Sequence, residues 1–145
     1  MNTYQKFTLT LLRVSLGGLF FYAGITKVLD PSWSAAGYMN SAQNFKWLFT
    51  IFSSPTLLPI TNFLNAWGLT LLGLSLILGI FVKYSAPFGT LLMFLYYLVL
   101  PFPMPNAHAF LIDEHIIYIF ALITLATLNA GKIWGLDARM GHAVK

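Results

Sequence analysis

Long apolar runs alternate with short polar or proline-marked breaks along the whole chain, and four of them, at 7–25, 60–81, 84–100 and 112–128, are dominated by Leu, Ile, Phe and Tyr. A helix needs roughly 17 to 25 residues to cross hydrocarbon, so each run predicts a membrane-spanning helix. The breaks agree with this division. Pro87 suits the first turn of a helix, Pro101, Pro103 and Pro105 cannot continue one, and Asn129-Ala-Gly131 supplies a stop. The first run follows Lys6 as a secretory leader would, but no A-x-A cleavage pattern comes after it and Gly24 to Lys27 makes a poor site. It is therefore expected to remain as a helix. The expectation is one all-α domain over 1–145, an integral membrane four-helix bundle.

Between the first two runs the pattern changes. Residues 28–59 mix Trp33, Tyr38, Met39, Phe45, Trp47, Leu48, Ile51 and Phe52 with Ser, Asn and Gln, too apolar for a free linker and too broken for a span. A connection of this length holds structure of its own. One or two short helices lying at the membrane interface are expected, closed by Pro55 and Pro59. Lipid gives helices no hydrophobic reason to associate, so contacts between spans should fall on small residues. Gly17, Gly18 and Gly24 in the first span, Gly68, Gly73, Ser75 and Gly79 in the second, and Ser85 and Gly89 in the third meet that need.

Composition sharpens the class. Hydrophobic residues make up 58% and charged residues 8% of the 145, far from the balance of a soluble domain. The mean hydropathy is +0.75. Eight basic and four acidic residues are too scattered for a nucleic-acid surface and serve better as topology signals. Lys6, Lys83, Lys132, Arg139 and Lys145 fall on the side of the termini and the second turn. Lys27 and Lys46, accompanied by Asp30, Asp113 and Glu114, fall on the other. Both termini are thus expected in the cytoplasm. With no cysteine, the chain itself has no dithiol chemistry, iron–sulfur ligation or zinc-thiolate site.

Ionisable residues at membrane depth are the first places to look for function. Arg13 lies roughly 9 Å along the first helix from Phe7, close enough for a snorkelling side chain to reach the cytoplasmic headgroups, and is expected to anchor the helix there. At the outer side, Lys27, Asn65, Tyr96, Tyr97, Asp113, Glu114 and His115 all come near helix ends and beneath the long loop. Together they form a candidate polar pocket containing a cation, carboxylates, hydroxyls and an imidazole. Duller roles stand beside this one: Lys27 pairing with Asp30, the tyrosines as an interfacial belt, Asp113 as a helix cap. His108, Asp113 and His115 do not have a diagnostic metal spacing, so no metal site is expected. His142 lies across the membrane from the other histidines, which removes a transmembrane haem pair. No phosphate-binding glycine motif occurs, and Ser53 and Ser54 lack a base and acid partner.

Three stretches carry a family resemblance: Leu12-Arg-Val-Ser-Leu-Gly-Gly-Leu-Phe-Phe-Tyr-Ala-Gly-Ile-Thr-Lys27, Asn65-Ala-Trp-Gly-Leu-Thr-Leu-Leu-Gly-Leu-Ser-Leu-Ile-Leu-Gly79, and Gly131-Lys-Ile-Trp-Gly-Leu-Asp137. The chain resembles the DoxX/DoxD family of small four-helix membrane proteins, with Arg13, Lys27 and Asp137 matching the family pattern. It departs from that pattern at Leu69, where many relatives carry a glutamate. The resemblance implies a subunit of a membrane redox system in a prokaryotic cytoplasmic membrane. That system would link oxidation of a sulfur compound or partner protein to the quinone pool, as in thiosulfate:quinone oxidoreductase. No cofactor is evident in the chain, and quinone is the candidate ligand, with Tyr97, His115 and Lys27 as hydrogen-bonding groups. The alternative is a non-catalytic scaffold for an outer-side partner. The partners expected are the lipid bilayer and a protein of a membrane complex, with self-association left open. A transporter is disfavoured because no inverted repeat is evident.

Overall fold

A computed structural model of the chain describes residues 1–101 and 110–140, and every regular element among them is helical. Four helices form the bundle: α1 (Thr3–Val28), α4 (Leu58–Leu78), α5 (Val82–Val99) and α6 (Glu114–Thr127). The connection from α1 to α4 holds two short helices, α2 (Ala36–Asn40) and α3 (Lys46–Phe52). After α6 come a 3₁₀ turn, Ala130–Lys132, and a last short helix, α7 (Leu136–Met140). Pro103, Pro105, His108, His142 and Lys145 lie outside the described residues.

The helix ends follow local chemistry. α1 begins four residues before the apolar run because Asn2 and Gln5 form a reciprocal capping box. α4 ends at Gly79, whose left-handed backbone (φ 66°) lets the chain turn back at once. α5 starts earlier than the apolar pattern predicts, so Pro87 sits inside the helix rather than in its first turn. Leu100, held extended by the following Pro101, ends it. α6 stops where Asn129 takes a left-handed conformation. Three helices, α1, α4 and α5, are long and apolar enough to cross a membrane. α6 has 14 residues, roughly 21 Å at 1.5 Å per residue, against a hydrocarbon thickness of about 30 Å.

α1 packs along α4, and α5 along α6, while α4 and α5 approach each other much less. The α1–α4 contact is backbone to backbone. A Cβ at Gly17 would lie 2.8 Å from the Ile77 amide, one at Gly24 would strike Thr70, and one at Gly73 would strike Phe21. Substituting a larger residue at Gly24 or Gly73 must therefore drive the helices apart. Gly18 faces open space and Gly68 meets only the Phe88 ring, so not every small residue in the spans is a contact. Ser75 and Ser85 share a 2.6 Å hydrogen bond across the α4–α5 turn. Side chains of all four helices fill the core, among them Phe20, Leu69, Leu76, Met93 and Leu122. A second, smaller core of Ala35, Met39, Ala42, Phe49 and Val99 fastens α2 and α3 to the end of α5.

This antiparallel order gives the bundle two unlike ends. One carries the N-terminus, the α4–α5 turn and the residues after α6. The other carries α2, α3 and the start of α6.

Candidate functional site

At the first end the polar groups are tied to backbone. Arg13 is 1% exposed, and its Nη1 donates to the carbonyl oxygens of Ala130 at 2.7 Å and Ile133 at 3.2 Å. The snorkelling anchor expected for Arg13 is not what forms. Reach along the helix axis was sufficient, but the side chain leaves α1 on the face covered by the 3₁₀ turn. Its Nε is buried without a partner, and no carboxylate lies within ion-pair distance among the described residues. Gly79 and Gly135 make room for the guanidinium, since a Cβ on either would press on Arg13 or on the other glycine.

Asp137 closes the same knot. Its Oδ1 accepts from the Phe81 amide at 2.8 Å and its Oδ2 from the Val82 amide at 3.3 Å. Its own amide donates to the Gly79 carbonyl at 2.9 Å. Phe81 enters α5 with a left-handed backbone and no side-chain cap of its own, so Asp137 caps α5 from 55 residues away. Gly131 must lack a side chain because Asp137 occupies that space.

At the other end, polar side chains are tied to one another. Asp113 caps α6 through the amides of His115 (3.1 Å) and Ile116 (3.3 Å). Its second oxygen lies 2.6 Å from Nδ1 of His115. Facing a carboxylate, Nδ1 is assigned the proton, and Nε2 has no hydrogen-bond partner among the described residues. The imidazole stands edge-on to Tyr96 (5.9 Å between centroids) and Tyr118 (6.5 Å), and its side chain is 15% exposed. The Tyr96 hydroxyl donates to the side-chain oxygen of Asn65, whose amide donates to Thr61 O at 2.9 Å. Tyr38 of α2 covers this group. Its ring is edge-on to Tyr96 at 5.8 Å, and its hydroxyl donates to the Tyr96 carbonyl at 3.0 Å. Burial, with the nearby charges of Asp113 and Glu114, pushes the Tyr38 phenol up to about 12.

Of the seven residues expected in one pocket, four come together: Asn65, Tyr96, Asp113 and His115. Tyr97 hydrogen-bonds the Leu111 carbonyl at 2.7 Å, and Glu114 is exposed in the first turn of α6. Lys27 bonds back to Ala23 O at 2.6 Å and lies 5.5 Å from the Trp33 ring. Its expected pairing with Asp30 is not made. Asp30 instead accepts from the Ser32 hydroxyl (2.6 Å) and amide (2.9 Å), which hold its carboxyl below the usual range. Tyr118 was missed, although its place three residues after His115 on one helix face signals the contact. Among the described residues no three His, Asp or Glu side chains converge.

Membrane-length apolar helices joined through glycine contacts define a small polytopic membrane protein. The chain belongs to the DoxX family: the model of that family, described simply as DoxX, matches residues 8–101. The match runs from α1 to the end of α5. No curated protein and no solved structure matches the chain.

Proposed function

We propose that this protein is a membrane subunit of a redox system that delivers electrons to quinone, with His115 as the group that exchanges protons with the quinone head. In this reading the bundle crosses the membrane four times with both termini in the cytoplasm, as the lysines around the α4–α5 turn and the termini favour. The observation that carries the proposal is the Asp113–His115 pair set edge-on against Tyr96, with Nε2 of the imidazole left without a hydrogen-bond partner among the described residues. Reducing a quinone takes two electrons and two protons. The chain contains no residue suited to store electrons, so they come from a sulfur compound oxidised by a partner, or from the partner itself. His115, oriented by Asp113, passes protons to the quinone oxygens and is reprotonated from the aqueous side. Tyr96 and Tyr118, both edge-on to the imidazole, supply the aromatic walls that a quinone ring needs.

The test uses the protein extracted with its partners and decylubiquinone as acceptor. His115→Gln should lower kcat by roughly a hundredfold, a typical loss for a general acid or base, while the complex still assembles. Equal turnover in the variant would remove His115 from the reaction. Absence of any quinone reduction or binding by the intact complex would remove the redox reading altogether.

A scaffold role is supported by a different observation. α3 and the residue before it expose Phe45, Trp47 and Ile51, an apolar face suited to a partner at this end of the bundle. If that role is the whole function, Trp47→Ser releases the partner and His115→Gln has no effect.

A further inference from the structure

The knot formed by Arg13 and Asp137 borders a small cavity of about 250 Å³, lined by Phe81, Lys83, Tyr84, Asn129, Lys132 and Asp137. Its charges are unequal. Asp137 directs both oxygens to the amides of Phe81 and Val82, whereas Lys83 and Lys132 are exposed and form no ion pair among the described residues. Arg13, buried behind the cavity, adds a third positive charge to the region. The walls are thus cationic with a single carboxylate already committed to backbone.

Two of the same residues, Phe81 and Tyr84, also line a second and larger recess, the open groove of about 650 Å³ between α4 and α5. Its other walls include Trp67, Leu71 and Phe88, and it exists because α4 and α5 approach each other so little below their turn. Along α4 it extends from Phe63 to beyond Leu74, roughly 17 Å at 1.5 Å per residue, about the length of a dozen methylenes of an acyl chain. A cationic polar cavity that shares two wall residues with an apolar channel running along the helices matches an amphiphile with an anionic head.

We infer that this surface binds one anionic phospholipid, with its phosphate between Lys83 and Lys132 and an acyl chain in the α4–α5 groove. A second copy of the chain fits less well, because the cavity repeats the same positive charge on each copy. A neutral quinone would use the groove but leave both lysines without a counter-charge. The inference is independent of the redox reading, which concerns the opposite end of the bundle.

Native mass spectrometry of the full chain, released from micelles doped with equal phosphatidylglycerol and phosphatidylcholine, tests it. One phosphatidylglycerol should remain bound in clear excess over phosphatidylcholine. At about fivefold per lysine, Lys83→Gln with Lys132→Gln should reduce that preference about twenty-five-fold. Leu71→Trp, which fills the groove and leaves the lysines intact, should lower retention of both lipids. A parallel run with inorganic phosphate separates the sources of the anion: phosphate displacing the lipid at millimolar concentration would reduce the site to a headgroup pocket and overturn the proposal. Equal retention of the two lipids by the wild type, an unchanged preference in the double variant, or dimers in place of lipid adducts would overturn it as well. Both lysines are exposed, so the double variant should melt with the wild type, and a shared melting temperature confirms that the comparison is between folded proteins.

Discussion

The two ends of this bundle use their ionisable groups differently. At the terminal end Arg13 and Asp137 are spent on main-chain groups: two carbonyls for the guanidinium, two amides for the carboxylate. At the other end Asp113 and Asn65 also hold main-chain groups, but side chains pair with each other as well, Asp113 with His115 and Tyr96 with Asn65, and among the described residues Nε2 of His115 has no hydrogen-bond partner. Side chains consumed by backbone fix a fold, because any movement breaks several bonds together. A carboxylate–imidazole pair such as Asp113–His115 can release a proton and re-form without disturbing the fold. The contrast is why the second end is the candidate site, although the first contains the more deeply buried charge.

The contrast can be broken most severely at Arg13. Arg13→Met should destabilise the protein by about 3 kcal/mol or more, since it strips two buried carbonyls of a charged donor. Thermal unfolding in a fixed detergent reads the loss, and cleavage after residue 132 by a protease reports release of the tail. A variant that melts with the wild type would show that the knot does not hold this end together.

Asp137→Ala should cost less, about 1 to 2 kcal/mol, the scale of a lost helix cap. Fast amide exchange at Phe81 and Val82 is its specific signature. Unaltered protection there would mean that α5 finds its cap elsewhere. His115→Gln reverses the pattern. It should change stability by under about 1 kcal/mol, as expected where no buried partner loses more than one bond, and should still abolish most quinone turnover. If the melting temperature falls as far as for Arg13→Met, the two ends are not different in kind.

The smallest effect is a titration. Tyr38, with its phenol pushed up to about 12, should ionise well above an ordinary tyrosine near 10. A folded pKa above the unfolded one means that its stabilising contribution is complete below about pH 10 and disappears as pH rises through about 12. The ultraviolet phenolate signal lost in Tyr38→Phe locates that step. Ionisation at the ordinary value would mean that α2 does not cover the cluster.

Helix positions were legible because hydropathy alone decides where a chain can lie in lipid, and Asn129 marks its stop by local chemistry. The short helices between α1 and α4 were legible for the same reason. Which end of the bundle each polar residue occupies also followed from counting spans. The helix face did not. Lys27, Tyr97 and Glu114 lie at the expected end but point elsewhere, and one sequence contains no measure of helix rotation where every face is apolar. Arg13 was misjudged for a related cause: axial distance admits both a snorkel and a buried contact. Gly79, Gly131 and Gly135 were the available clue, three glycines outside the α-helices near one end, where a bulky group needs space. Gly79 in particular read as a helix-contact residue and is the cap that admits the guanidinium.

The Arg13 contact also sets an order of events during biogenesis. The arginine belongs to the first helix made, and its Ala130 acceptor follows 117 residues later, roughly ten seconds of translation at ordinary rates. Throughout that interval a charged side chain sits in an apolar segment with its final partners not yet synthesised. Until then the guanidinium is solvated by reaching along the helix to the headgroups, and it exchanges that contact for the Ala130 and Ile133 carbonyls only when the last turns of the chain arrive.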